Sequence, residues 1–119
     1  MKKLFIVFVM VAGACGKSLP TLEGINPRQW KDDKNGCNHY REKTIDLLTS
    51  QIDKLKALSE TQISQLLGKP DQTELYRRNQ KFYIYFLAPS AKCDPSNKKA
   101  KQLVIRFNGM RVASEVEME

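Results

Sequence analysis

The 119-residue chain has one histidine, one tryptophan and three cysteines, with no internal repeat and no low-complexity tract. Each shortage excludes something. An enzyme needs a nucleophile, a base and an orienting group within reach of one another. Here the only histidine, His39, stands with one residue between it and Cys37, and reads as a surface or capping histidine. Asp32 and Asp33 are adjacent in a polar, turn-rich stretch, where such a pair serves as turn or cap formers. No serine or cysteine lies in a recognisable nucleophile context, so no catalytic residue is expected. Cys37, Cys93 and His39 are too few ligands for a zinc site, and no Cys-x-x-Cys pair exists. Neither a metal nor a cofactor is expected.

Long hydrophobic runs are also missing. Leu4 to Val11, LFIVFVMV, is eight residues long. It covers about 12 Å as a helix, against the roughly 30 Å of hydrocarbon that a span must cross. With Met1-Lys2-Lys3 before it and Ala12-Gly13-Ala14 after it, the run instead has the layout of a secretory signal over residues 1–14. Cys15 follows directly and admits three readings. Gly16-Lys17-Ser18 ends like a phosphate-binding loop, but Val11 stands where that loop needs its first glycine. Cleavage after Ala14 could leave a free thiol. The segment also resembles the lipobox of bacterial lipoproteins, whose cysteine is diacylated and becomes the N-terminus; its departure is Ala12 where leucine is usual.

Counting the thiols separates these readings. Export implies an oxidising compartment, in which Cys37 and Cys93 are expected to pair and Cys15 is left over. Acylation accounts for the odd cysteine, and the expected location is the cell envelope. The chain carries 20 Lys+Arg against 13 Asp+Glu, and loss of Lys2 and Lys3 with the signal leaves 18 against 13, or +5. Outside the cytoplasm a basic surface meets anionic headgroups, envelope polymers or acidic protein patches rather than nucleic acid.

Beyond Cys15, Gly16 to about Asn26 has Pro20, Gly24 and Pro27 close together and no periodicity, which reads as a tether over 15–27. A single small domain over 28–119 is expected to follow, and Trp30 is read as a core plug at its start. Ile45, Leu48, Ile52 and Leu55 form one apolar stripe, predicting a helix from about Tyr40 to Lys56. A second helix is bounded by a Ser59/Gln62 capping box and by Gly68 and Pro70. From Thr73 the period becomes two. One hairpin is expected to turn at Asn79-Gln80, pairing Leu75 with Ile84 and Tyr76 with Tyr83. A second, turning at Asn108-Gly109, would pair Phe107 with Met110 and set Arg106 opposite Arg111. The expected fold class is α+β, two helices packed on one face of a small antiparallel sheet made of two β-hairpins.

The run "LSETQISQLLGKPD", a tyrosine-rich strand and "LVIRFNGMRV" together resemble the SmpA/OmlA domain of the outer-membrane assembly lipoprotein BamE, over about residues 58–116. The resemblance implies an anchored periplasmic domain acting by contact with an envelope or outer-membrane protein. Beta-lactamase inhibitor proteins share the helix-helix-sheet unit, so an inhibitor or ligand-binding module is the alternative. Leu58 stands where the family has a glycine, and the Cys37–Cys93 bridge and Trp30 are outside its pattern. No functional residue carries over.

On that fold the uncovered sheet face is expected to show Tyr76, Tyr83, Tyr85, Arg106 and Arg111, residue types enriched at interface cores. These five are the candidate partner-binding residues. Lys92, Lys98, Lys99 and Lys101, in the long loop, are candidates for contact with anionic headgroups.

Overall fold

The computed structural model describes residues 18–119. The expected signal and the Cys15 attachment point lie outside the described residues. Four short helices come first: α1 (Pro27–Asp32), α2 (Tyr40–Lys43), α3 (Ile45–Gln51) and α4 (Glu60–Leu67), with 3-10 turns at Lys34–Gly36 and Ile52–Leu55. They are followed by β1 (Gln72–Tyr76), β2 (Gln80–Phe86), β3 (Gln102–Phe107) and β4 (Ala113–Met118), one antiparallel sheet whose strands lie in chain order. The architecture is α+β, with a helical layer against one sheet face.

α4 forms as its sequence dictates. The Ser59 hydroxyl accepts from the Gln62 N–H at 3.1 Å, and the Gln62 side chain accepts from the Ser59 N–H at 3.0 Å, so two otherwise orphaned donors are satisfied. Gly68 ends the helix at φ 82°, and its N–H donates to the Ser64 carbonyl. Ile63, Leu66 and Leu67 face the core.

The helix expected over 40–56 is broken into three pieces. Thr44 leaves helical geometry at φ −95°, ψ 0°, with its hydroxyl turned back to the Arg41 carbonyl at 2.7 Å. A second break falls at Gln51 (φ −116°), whose side chain reaches away to the Glu23 backbone. The apolar stripe survives both breaks, because Leu48 and Leu55 are fully buried and Ile45 and Ile52 pack against the core.

The packed domain also starts earlier than residue 28. Leu22 and Ile25, in the segment read as tether, are each only 7% exposed and belong to the core. Asn26 caps α1 by accepting from the Arg28 and Gln29 N–H groups, and its own N–H donates to the Tyr40 hydroxyl at 2.8 Å. Trp30 is the core plug that its position suggested, 1% exposed and 5.5 Å from the Tyr85 ring.

Cys37 and Cys93 are joined in a disulfide, their Cα atoms 5.8 Å apart. The bridge fastens the turn after α1 to the long β2–β3 loop. Close approach there requires a glycine: Gly36 has φ 69°, and a Cβ on it would run into the Ala88 carbonyl.

Candidate interaction surface

The register of the two hairpins decides which side chains face outward, and both registers differ from the expected ones. In the first, Arg78 and Asn79 adopt φ 61° and the Gln80 N–H donates to the Arg77 carbonyl. The turn therefore closes earlier than expected, and Tyr76 pairs with Gln80 and Leu75 with Lys81. The offset from the expected pairing is odd, so every side chain of one strand moves to the opposite face relative to the other.

In the second hairpin Asn108 and Gly109 open a wider turn. The Arg111 N–H donates to the Asn108 carbonyl at 2.9 Å, and the Asn108 side chain accepts from the N–H groups of Met110 and Val112. With a register shift between Arg106 and Phe107, Phe107 lies opposite Ala113 and Arg106 opposite Glu115. The expected opposition of Arg106 and Arg111 does not occur. Arg106 has a compensating neighbour instead, Glu115 at 3.4 Å.

These registers relocate the candidate residues. Tyr83 lies opposite Ile105 and Tyr85 opposite Leu103, both on the helix-covered face with the core. Tyr85 is fully buried, its hydroxyl donating to the Gly68 carbonyl at 2.7 Å, and Tyr83 packs edge-on to Phe107 with ring centroids 4.6 Å apart. The polar tip of Tyr85 is satisfied inside, so the ring behaves as a large core residue. Arg111 sits in the β3–β4 turn at φ 62°, its side chain largely exposed and 3.9 Å from Glu60. Of the five candidates, Tyr76 and Arg106 share the open face. Lys92, Lys98, Lys99 and Lys101 are exposed on the long loop, and Lys92 and Lys98 line a hollow with Phe86 and Gln72 at one end of that face.

The open face instead carries half-buried Phe82, Phe86 and Val104 around Ile84, which is only 5% exposed, all adjacent across the β2–β3 ladder. Tyr76 extends this strip, its ring edge-on to Phe82 with centroids 5.9 Å apart. Polar groups border it. Arg106 donates through Nε to Gln80 at 3.0 Å, and Glu74 and Glu119 line a shallow hollow with Phe82, Ile84 and Val104. An apolar centre with a polar margin is the anatomy of a contact surface. Alternation along β2 could not reveal it, because Phe82, Ile84 and Phe86 are as apolar as Tyr83 and Tyr85. The clean alternation of β3, with Leu103, Ile105 and Phe107 buried, settles the face of β2 only once the ladder between them is known.

A buried charged cluster beneath one end of this face went unread in the sequence. Arg41, fully buried, donates through Nη1 to Asp71 at 2.7 Å and to the Phe86 carbonyl at 3.2 Å, and through Nε to the Trp30 carbonyl at 2.8 Å. Its guanidinium also lies 4.3 Å from the centre of the Trp30 ring. Asp71 accepts further from the N–H groups of Asn35 and Phe86, and Asp33 accepts from those of Asn38 and Arg41. Two carboxylates and one guanidinium thus tie α1, α2, the start of β1 and the end of β2 together. Nothing in the spacing of Asp33, Arg41 and Asp71 announces that they meet.

The same neighbourhood governs Tyr85. Burial foremost, then the nearby Tyr83, push its phenol well above the ordinary value, with Asp71 adding to the rise and Arg41 opposing it. A phenol held protonated in the fold but free to ionise when unfolded contributes stability that is fully present below about pH 10 and is lost as the pH climbs beyond it. In an alkaline titration followed by phenolate absorbance, one of the four tyrosines should resist ionisation until the chain unfolds. Tyr85→Phe should remove that delayed step and cost about 1 kcal/mol for the lost hydrogen bond. Four tyrosines ionising together in the folded protein would contradict this placement.

As for chemistry, His39 is exposed at the start of α2, 3.6 Å from Glu42, and Asp32 and Asp33 diverge, one exposed and one buried. Among the described residues no cluster of three or more His, Cys, Asp or Glu side chains is placed to hold a metal ion. No helix among them is long and apolar enough to cross a membrane. The class that fold and surface define is a disulfide-fastened, two-layer α+β domain with one sheet face covered and the other open. No protein-family model matches the chain, and no curated protein or solved structure matches it either.

Proposed function

We propose that the protein is a non-catalytic, lipid-anchored component of the bacterial cell envelope, held at the outer membrane by Cys15, that binds a protein partner through the open face of its sheet. The observation that carries this reading is the sheet face that no helix covers, where half-buried Phe82, Phe86 and Val104 surround the buried Ile84 and Arg106 stands at the margin. Helices occupy the other face, so the part of Phe82, Phe86 and Val104 that stays solvent-accessible is open to contact. The Cys37–Cys93 bridge suits an oxidising compartment. With those two thiols joined, Cys15 is the cysteine left for acylation. The likeness of residues 58–116 to the BamE domain points in the same direction, toward assembly or support of an outer-membrane complex. Lys92, Lys98, Lys99 and Lys101 would add contacts with anionic headgroups once the lipid brings the domain to the bilayer.

Fractionation of cells carrying the wild type or Cys15→Ser tests the anchor. The wild type should sediment with membranes and the variant should move to the soluble fraction. Retention of Cys15→Ser with membranes would overturn the anchoring part of the proposal.

A further inference from the structure

The two edges of the sheet are treated differently. At the β4 edge, the linker between the second 3-10 turn and α4 covers the first residue: Ala57 N–H donates to the Ala113 carbonyl at 2.9 Å, and Ala113 N–H donates to the Leu58 carbonyl at 2.8 Å. The β1 edge has no such cover. β1 borders β2 alone, and no backbone hydrogen bond joins its outer edge to another segment among the described residues. All five of its residues, Gln72–Tyr76, are exposed. A strand edge of this kind is a template for a further strand, and native proteins ordinarily blunt it with a proline, a bulge or an inward charge. Within Gln72–Tyr76 there is no proline, the register with β2 is continuous, and Glu74 is the one charged residue.

The side chains along this edge indicate what would pair with it. Leu75 and Tyr76 point to opposite faces and are 79% and 55% exposed, so an added strand would find an apolar neighbour on each side. Lys69, Arg77 and Arg78 flank the strand, all exposed and none in an ion pair among the described residues, against the single free carboxylate of Glu74. Arg111 lies beside the same end, where it lines a cleft with Leu75 and Tyr76. The edge therefore offers one apolar side chain on each face at its Leu75–Tyr76 end, with cations beyond both ends.

We propose that β1 accepts an extended, acidic segment of a partner protein as a fifth strand, with main-chain hydrogen bonds along the edge and carboxylates at Arg77 and Arg78. This deepens the partner-binding reading and rests on it, but at the sheet edge rather than on the open face. Main-chain pairing would supply affinity, and the flanking cations would set orientation and select acidic sequences.

The test is selection of a displayed library of random twelve-residue peptides against the full-length, disulfide-intact chain in detergent. Enriched peptides should be rich in Glu or Asp and in β-branched residues. Their affinity should fall at least tenfold for the Arg77→Glu/Arg78→Glu variant and for Leu75→Lys, both confined to exposed positions and checked for folding by near-ultraviolet circular dichroism. N-methylation of alternate peptide amides should abolish binding, which tests strand addition without altering the protein. Bound peptide should slow amide exchange in β1. No enrichment, neutral or basic winners, or undiminished binding to the edge variants would overturn the proposal, as would Leu75-dependent dimerisation in the ultracentrifuge, which would assign the edge to a second copy of this chain. A Val104→Lys variant separates the two readings: peptide binding should survive it, whereas open-face partner binding should not.

Discussion

Replacing Arg41 with methionine should lower the free energy of unfolding by about 3–5 kcal/mol, the scale expected when one partner of a buried ion pair is removed and the other is stranded. Asp71 is as deeply buried as Arg41, with side-chain exposures of 3% and 1%, so its carboxylate has no recourse to water once the guanidinium is gone. The Trp30 and Phe86 carbonyls lose donors at the same time. Methionine keeps an unbranched apolar stem, so the loss reports the charge and its hydrogen bonds more than a cavity. Urea denaturation of wild type and Arg41→Met gives the number. A difference under about 1 kcal/mol would mean that the cluster is not the clamp described here. Because that cluster holds the end of β2 at Phe86, the same variant should loosen the open face, and amide exchange near Phe86 should quicken.

Loss of the disulfide should have a comparable effect. Cys37 and Cys93 are 56 positions apart, and the chain-entropy model values closure of a loop of that length at about 4 kcal/mol. For a domain of this size, that is a large share of a typical total stability. The Cys37→Ser/Cys93→Ser variant, or the wild type in strong reductant, should unfold at markedly lower urea concentration. Oxidised and reduced chains agreeing within about 1 kcal/mol would show that the bridge constrains little in the unfolded chain. The two clamps are neighbours, since Ser90 N–H donates to the Asn35 carbonyl and Asn35 N–H donates to Asp71. Their effects should therefore couple rather than add.

What could be read from the sequence was what local chemistry fixes. The capping box at Ser59, the stop at Gly68, the pairing of Cys37 with Cys93 and the burial of Trp30 each depend on a few residues and one rule. The α+β order followed from the change of period after Pro70. What escapes the sequence is geometry, local in the helix breaks and long-range in the strand pairing. A helix read as continuous breaks at Thr44 and Gln51, where side chains bond to backbone instead of continuing the turn. A turn at Asn79-Gln80 would put Tyr83 and Tyr85 outward with Tyr76, but the turn closes earlier and the odd shift in pairing exchanges the faces. Tyr76 and Arg106 kept their place, whereas Arg111 was drawn into the turn. Asp33 reads only as a turn or cap former, and Arg41 and Asp71 carry no signal at all, since nothing local distinguishes a buried arginine from an exposed one.

The central claim is that a partner contacts the open face and not the helix-covered one. Phe82 and Tyr83 are adjacent in β2 and point to opposite faces, so they form a matched pair of probes. A photocrosslinking phenylalanine analogue placed at each position in turn, with irradiation of intact cells, measures the claim directly. The account predicts a discrete crosslink to an envelope or outer-membrane protein from position 82 and none from position 83. Crosslinks from position 83 alone, or recovery of only soluble hydrolases from position 82, would contradict it.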